Sequence, residues 1–236
     1  MDHIEKNIFE TGQVLLFNKP LNWTSFDLVN KVRIMIRSHF GLKKIKTGHA
    51  GTLDPLATGL LILCTGRATK RIDEFMGLEK EYTATIHLGA TTPSFDLETG
   101  VNEYFETSHI SEELVRDALN RFTGEQDQVP PLHSAKFIDG KRAYEYARKG
   151  NDMKLDPVKV FIREIELISF NLPDIRVRIV CSKGTYIRSF ARDLGLALGS
   201  GAYLSELTRT AIGSYRVEDA MDLEKFRLFL EQMKQM

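Results

Sequence analysis

The sequence lacks most of the features that would tie it to a membrane, an oxidising compartment or a bound cofactor. Its 236 residues include two cysteines, Cys64 and Cys181, each inside an apolar run. That usage suits buried thiols in a reducing compartment, not a disulfide framework. No stretch approaches the roughly 18 apolar residues of a membrane helix. The segment Met1-Asp2-His3-Ile4-Glu5 has neither the basic nor the apolar region of a secretory leader. A cytoplasmic protein is expected, with no membrane partner. Walker A, G-x-G-x-x-G and G-x-S-x-G motifs are absent, as are His or Cys pairs at zinc spacing. No nucleotide cofactor, no metal and no hydrolase chemistry are expected.

Net charge is absent too, with 32 Lys and Arg against 32 Asp and Glu. The charges are not evenly spread, however. Lys31, Arg33, Arg37, Lys43, Lys44 and Lys46 fall in one stretch without an acid, and Arg176, Arg178, Lys183, Arg188 and Arg192 in another. A third basic stretch runs from Lys136 to Lys149, while nine acids against two arginines lie between Asp96 and Asp127. A neutral total can therefore conceal a basic face, which is what a phosphate backbone would feel. A set of separately solvated helix surfaces is the other reading.

Local patterns divide the chain into elements. Val14 to Phe17 reads as a buried strand. Thr24 opens a helix, with Asp27 three residues later as in a capping box, and the helical period runs to Gly41. Lys43 to Pro55 reads as an ordered loop, Leu60 to Cys64 as a strand and Ala68 to Met76 as a short helix. Tyr82 to Leu88 alternates as a half-buried strand does. Ser111 caps a helix through Arg121. Val158 to Phe170 and Ile175 to Cys181 are strands split by a turn. Thr185 is read as the cap of a helix from Tyr186 to Leu198, and Leu223 to Met233 is a last amphipathic helix. Interspersed strands and helices without a βαβ period indicate an α+β fold. One domain over 1–236 is expected, with a peripheral insertion around 91–128.

Three clusters carry candidate chemistry. The loop Gly48-His49-Ala50-Gly51-Thr52-Leu53-Asp54-Pro55-Leu56-Ala57-Thr58-Gly59 holds one carboxylate, and Pro55 restricts Asp54 to extended backbone angles. From the residues alone, Asp54 is either a reactive carboxylate or the acceptor of an Asx turn. In Cys181-Ser182-Lys183-Gly184-Thr185-Tyr186-Ile187-Arg188, Arg188 is a fork for a carboxylate or phosphate, or a member of a surface ion pair. Lys80-Glu81-Tyr82 opens a strand with an aromatic residue that packs on a strand face or serves a site.

Taken together, these segments resemble the TruB family of tRNA pseudouridine synthases, over nearly the whole chain. Gly48 to Gly59 is similar to the family's catalytic motif, with Ala50 where the family usually has Thr. Leu16-Phe17-Asn18-Lys19-Pro20, followed by Trp23-Thr24-Ser25, resembles its KP motif. Lys80-Glu81-Tyr82 resembles the tyrosine segment, and Cys181 to Arg188 the arginine motif. Gln128-Val129-Pro130-Pro131, Ser134-Ala135-Lys136 and Gly140 to Tyr144 resemble the middle region, and Leu207-Thr208-Arg209-Thr210 the late segment.

The resemblance implies a pseudouridine synthase fold, with a mixed, mainly antiparallel central sheet flanked by helices and loops. It implies a cofactor-free isomerisation of uridine 55 in the tRNA T-loop by a monomer. Asp54 would be the catalytic carboxylate, Tyr82 a stacking partner for the flipped base, and Arg188 a partner of Asp54. His49 would fill the space left by the base. Lys70, Asp96, Tyr186 and Leu207 match pocket or RNA-contact positions. Only about 26 residues follow Thr210, too few for the additional C-terminal PUA domain of many relatives, so the tRNA grip is expected from the catalytic domain. A non-catalytic tRNA-binding and folding protein on the same scaffold is the alternative. A guide-RNA-dependent relative is a third.

Overall fold

The structure, a computed structural model, describes residues 7–134, 137–138, 141–142 and 155–233. The basic stretch from Lys136 to Lys149 and the Ala135-Lys136 and Gly140 to Tyr144 segments lie almost wholly outside the described residues. In chain order the first elements are α1 (Ile8–Thr11), β1 (Val14–Lys19), α2 (Ser25–Phe40), β2 (Thr47–His49) and β3 (Ala57–Thr65). A 3-10 turn (Gly66–Arg71) leads into α3 (Ile72–Gly77), β4 (Lys80–Leu88), β5 (Ala90–Thr91), β6 (Glu103–Tyr104), α4 (Glu112–Arg121) and β7 (Gly124–Gln128). Then come β8 (Phe137–Ile138), β9 (Lys141–Arg142), β10 (Val158–Asn171), β11 (Asp174–Cys181), α5 (Ile187–Ala197), β12 (Ala202–Ile212), β13 (Tyr215–Arg216) and α6 (Leu223–Met233).

The chain divides into two compact units, Met1–Glu81 with Thr208–Met236, and Tyr82–Leu207. In the first, β3 is the middle strand of the order β1-β3-β12, with β2 also on β3 and β13 on β12. β1 and β3 run antiparallel, pairing Leu15 with Leu63 and Phe17 with Leu61. Because successive side chains alternate faces, β3 feeds two cores. Leu61 and Leu63 pack with Phe17, Val32, Ile36 and Phe226, whereas Leu60, Ile62 and Cys64 pack with Ala50, Phe75 and Ile212. Burial on both faces explains why β3 reads as a continuous apolar run.

α2 owes its start to the expected capping box, in which the Thr24 hydroxyl accepts from the Asp27 amide at 3.0 Å and the Asp27 carboxylate accepts from the Thr24 amide at 2.9 Å. It ends at Gly41, whose φ of 64° is the left-handed cap that glycine adopts without a Cβ penalty.

In the second unit the strand order is β12-β4-β11-β10-β7. β10 and β11 form a long antiparallel hairpin, and β7 pairs antiparallel with β10 from Val158–Gln128 to Ile162–Gly124. α4 packs on β10 and on α5, where the rings of Phe122 and Phe190 meet edge to face at 5.3 Å.

Several local expectations change. The residue at the N-cap of α5 is Tyr186, with no side-chain cap, and the Thr185 hydroxyl instead donates to the Ser182 carbonyl at 3.0 Å. The Gly184 turn supplies that carbonyl within one turn of Thr185, so the hydroxyl is used before the helix begins. The Lys43 to Pro55 loop contains the short strand β2. The helix expected from Ala68 divides into the 3-10 turn and α3.

Since Leu61 is wholly buried between β1 and the α2–α6 core, Leu61→Ala is expected to cost about 2–5 kcal/mol of stability through lost burial and a residual cavity. Urea unfolding with an unchanged slope checks this. A cost below about 1 kcal/mol would contradict this packing.

Candidate active site

In the first unit, β2 and β3 bracket the loop that carries Asp54. Gly48 pairs with Cys64 and His49 with Leu63, and the Ala50 amide donates to the Ile62 carbonyl at 2.9 Å. The loop then leaves the sheet and returns through a turn in which the Ala57 amide donates to the Asp54 carbonyl at 3.1 Å. Asp54 is half-buried and Leu53 is buried.

Three side chains fix this loop by its main chain. Ser25, at the start of α2, accepts from the Leu53 amide at 2.8 Å and lies 3.2 Å from the Leu53 carbonyl, to which its hydroxyl donates. Lys19, at the end of β1, is fully buried and donates to the carbonyls of Trp23 at 2.6 Å, Pro20 at 2.9 Å and Pro55 at 3.4 Å. Arg209, on β12, is 1% exposed. Its Nε donates to the Leu60 carbonyl at 2.7 Å and its Nη2 to the Gly51 carbonyl at 3.1 Å, tying both ends of the loop together. Gly59 allows this approach. Its φ is 102°, and a Cβ there would stand 2.3 Å from the Arg209 carbonyl oxygen. Thr58 and Thr208 add a hydroxyl–hydroxyl bond of 2.9 Å.

The charges inside this unit shape its titration. Burial lowers the Lys19 ammonium to about 8, Asp54 opposes that shift, and Arg209 adds to it. His49 is lowered below its ordinary value, first by burial and then by Arg209, so its imidazole is neutral at pH 7. Its buried Nδ1 makes no hydrogen bond among the described residues. Lys70 is exposed, one residue before the end of the 3-10 turn.

The second unit holds Tyr82, Asp96, Tyr186, Arg188 and Leu207. Tyr82 is 8% exposed on β4, and Leu207 is half-buried on β12. Arg188, two residues past the N-cap of α5, is 3% exposed. Its Nε is 3.5 Å from Asp96 Oδ2 and its Nη1 donates to the Ser94 carbonyl at 3.4 Å. The resemblance implied that Arg188 meets Asp54; the ion pair described in this unit is with Asp96.

Asp96 sits in a well-tied loop. Its carbonyl accepts from Thr92 Oγ1 at 2.6 Å and Ser94 Oγ at 3.1 Å, and its Oδ1 from the Glu98 amide at 2.9 Å. Phe95 occupies the left-handed region at φ 63°, and the Arg192 guanidinium lies 4.8 Å from its ring centroid. Such backbone strain in a residue with a Cβ concentrates at functional sites. Gln128 holds the approach to α5. Its Oε1 accepts from the Tyr186 amide at 2.8 Å and its Nε2 donates to the Tyr186 carbonyl at 3.1 Å, as a neighbouring strand would.

Ser25, Lys19, Arg209 and Gln128 were not assigned site roles from sequence, although each falls in a segment that carried the resemblance. Their signal was position beside a motif. Their action on main-chain atoms distant in sequence leaves no local pattern.

The chain as a whole is similar to known proteins of one family. Residues 37–187 match the family described as TruB family pseudouridylate synthase (N terminal domain), and residues 188–235 match the tRNA pseudouridylate synthase B C-terminal domain. The tRNA pseudouridine synthase B of Phocaeicola vulgatus is 57% identical over 96% of each chain. The protein of the same name from Bacteroides thetaiotaomicron is 55% identical over 96% of each. Among solved structures, a chain of a Cbf5-Nop10-Gar1 complex matches with a TM-score of 0.72 at 28% identity, over 96% of this chain and 56% of that one. A chain of an H/ACA RNP bound to a substrate RNA containing 2'-deoxyuridine matches with a TM-score of 0.69 at 26% identity, over 98% and 58%. The chain thus spans just over half the length of these structural relatives.

Replacing Arg209 by Met removes both ties on the loop. Amide hydrogen exchange over Ala50–Leu60 is expected to accelerate about tenfold or more, since each bond from a charged donor contributes about 1.5–3 kcal/mol. Exchange in β10 and β11 should stay as it was; uniform acceleration would mean that Arg209 serves global stability only.

Lys19 adds a pH dependence. Below about pH 8 it is protonated in the folded and unfolded chain alike, and the cost of its buried charge is fully present. Between about 8 and its ordinary 10.5 the unfolded chain binds a proton the folded chain does not, so stability rises with pH across that window. Wild type should gain on Lys19→Met in urea midpoint from pH 8 to pH 10; a constant difference would rule out the depressed pKa.

Proposed function

We propose a function from one premise: the chain belongs to the TruB family of pseudouridylate synthases. It isomerises uridine 55 in the T-loop of tRNA to pseudouridine. The observation that best supports this is the half-buried carboxylate-bearing residue Asp54 on a loop fixed by Ser25, Lys19 and Arg209. Rigid placement of one ionised group is what an isomerisation without cofactor requires.

In this reading the bond from uracil N1 to C1′ breaks, the base turns, C5 joins C1′ and gives up its proton, and N1 takes up a proton from solvent. Product and substrate have the same atoms, so neither cofactor nor energy source enters. Asp54 starts the reaction, either by attacking C1′ or by removing a sugar proton on the way to a glycal. Free aspartate, with a pKa of about 3.9, is ionised at neutral pH without tuning. The uridine must leave the T-loop stack, at a cost of a few kcal/mol that stacking on an aromatic such as Tyr82 offsets. The Tyr82 hydroxyl assists at the C5 proton.

Arg188 serves the carboxylate of Asp54, and neutral His49 fills the space the base vacates. Lys70, Asp96, Tyr186 and Leu207 contact the flipped nucleotide or its surroundings. The protein acts as a monomer, one catalytic domain working on the T-arm in the cytoplasm. Among the described residues no helix is long and apolar enough to cross a membrane.

Tritium release from tRNA labelled at uridine C5 tests the reading. Wild type should release label from one T-loop position, and Asp54→Asn none, while still binding tRNA. Arg188→Lys should lose about tenfold or more, since a point charge does not reproduce a planar fork. Full release by Asp54→Asn would sink the assignment of the carboxylate, and release from many unrelated uridines that of the substrate.

A further inference from the structure

The two basic runs fare differently in the fold. In the run from Arg176 to Arg192, Arg178 is paired with Glu164 at 2.7 Å, Arg188 with Asp96 at 3.5 Å and Arg192 with Asp193 at 2.7 Å. Three of those five charges are thus paired, while Arg176 and Lys183 are exposed and form no ion pair among the described residues. In the run from Lys31 to Lys46, none of the six cations forms an ion pair among the described residues. Lys31, Arg37, Lys43, Lys44 and Lys46 are exposed, and Arg33 is half-exposed.

These cations stand on a fixed support. Lys31, Arg33 and Arg37 project from the outer side of α2, whose inner side buries Leu28, Val29, Val32 and Ile36. Lys43, Lys44 and Lys46 flank Ile45, which is 8% exposed and belongs to the same core. The Lys46 carbonyl is held by the Gly66 amide at 2.8 Å. The one acid on the outer side of α2, Asp27, has its carboxylate engaged by the Thr24 amide and hydroxyl.

An aromatic ring lies within this field. Phe26 is 62% exposed on the first turn of α2, and the Arg33 guanidinium stands 6.0 Å from its ring centroid. Its neighbour Ser25 holds the Leu53 amide, next to Asp54. From Phe26 to Arg37 the surface runs roughly 16 Å along the helix axis at about 1.5 Å per residue. Phe26, Arg33 and Arg37 share one side of the helix, and Lys31 lies on the other flank of the exposed surface with Asp27 and Ile34. Cations without ion pairs on both flanks, with an exposed ring at the end nearest the reactive loop, have the chemistry of a surface for an RNA backbone with a stacking platform.

We propose that the outer face of α2 and the Lys43–Lys46 segment form a second RNA-contact surface, which grips tRNA phosphates outside the T-loop and stacks an unpaired base on Phe26. This rests on the tRNA reading above and adds where the rest of the molecule is held. Charge complementarity selects a polyanion over a protein partner, because a protein would leave six cations to be neutralised.

The test compares wild type with the triple variant Lys31→Ala, Arg33→Ala, Arg37→Ala, with Phe26→Ala, and with a control, Arg116→Ala with Arg227→Ala, that removes cations elsewhere. Binding of tRNA is measured against salt, and tritium release at saturating tRNA. The triple variant should raise Kd about tenfold and reduce the salt slope by about 2, as expected for lost phosphate contacts. Phe26→Ala should raise Kd about fivefold with the slope unchanged, since stacking releases no counterions. The control should match wild type, and kcat should be kept in all. A triple variant with wild-type Kd and slope overturns the proposal, as does a control that weakens binding equally. If wild type binds tRNA with the expected slope but releases no tritium, the catalytic reading falls and the surface stands.

Discussion

A guanidinium that is 1% exposed must find acceptors for its donors, and Arg209 finds two of them at opposite ends of one loop. The carbonyls of Gly51 and Leu60 would otherwise have to be met by water or by another segment. Because the guanidinium fork is planar, fixing it on Leu60, in β3, also fixes where Gly51 can lie. Lys19 and Ser25 act at the middle of the same loop, on Pro55 and Leu53. Asp54 therefore stands between residues whose main chain has few places to go. That constraint links the sheet of the first unit to the chemistry proposed for it.

Much of this was readable in advance where the cause is local. The capping box of Thr24 and Asp27, the Ser111 cap and the alternation in β4 each depend on residues a few positions apart, and each appears as expected. Strand β12 is the opposite case. Its sequence, Ala202-Tyr203-Leu204-Ser205-Glu206-Leu207-Thr208-Arg209-Thr210-Ala211-Ile212, lacks a clean period of two. Its polar members are taken up by distant partners, with Ser205 on the Thr85 carbonyl, Thr208 on Thr58, Arg209 on Leu60 and Thr210 on Glu81. A strand spent on such contacts loses the apolar alternation by which strands are recognised. β7, Gly-Glu-Gln-Asp-Gln, fails for a related reason. It is polar, pairs with β10 alone in the strand order, and needs no apolar period to stay there.

The pseudouridine synthase fold, α+β with a mainly antiparallel sheet, was legible from motif order more than from physics. Taken alone, the Asp54 loop favours an Asx turn over catalysis. What the loop sequence did not reveal is how it is held, because the clamps come from Lys19, Ser25 and Arg209, as far as 158 positions away in the case of Arg209 and Gly51. The Thr185 cap was misread for the same kind of reason. A hydroxyl before a helix is a cap only if no nearer carbonyl claims it, and the Ser182 carbonyl does.

Cations in this chain divide by what surrounds them. Lys19 and Arg209 are buried and donate to main-chain carbonyls. Lys80, 6% exposed, does the same for the last carbonyls of α3, reaching Met76 and Leu78 at 2.6 Å, where the helix dipole also favours a positive charge. A buried ammonium or guanidinium so satisfied costs less than one left without acceptors, but it is withdrawn from any solvent-side field. Arg178 and Arg188 are withdrawn too, by acids. A count of 32 against 32 therefore misjudges what an RNA would meet. The charge that matters is the part left outward-facing and unpaired, and on the described surface that part is concentrated between Lys31 and Lys46, beside the loop that carries Asp54.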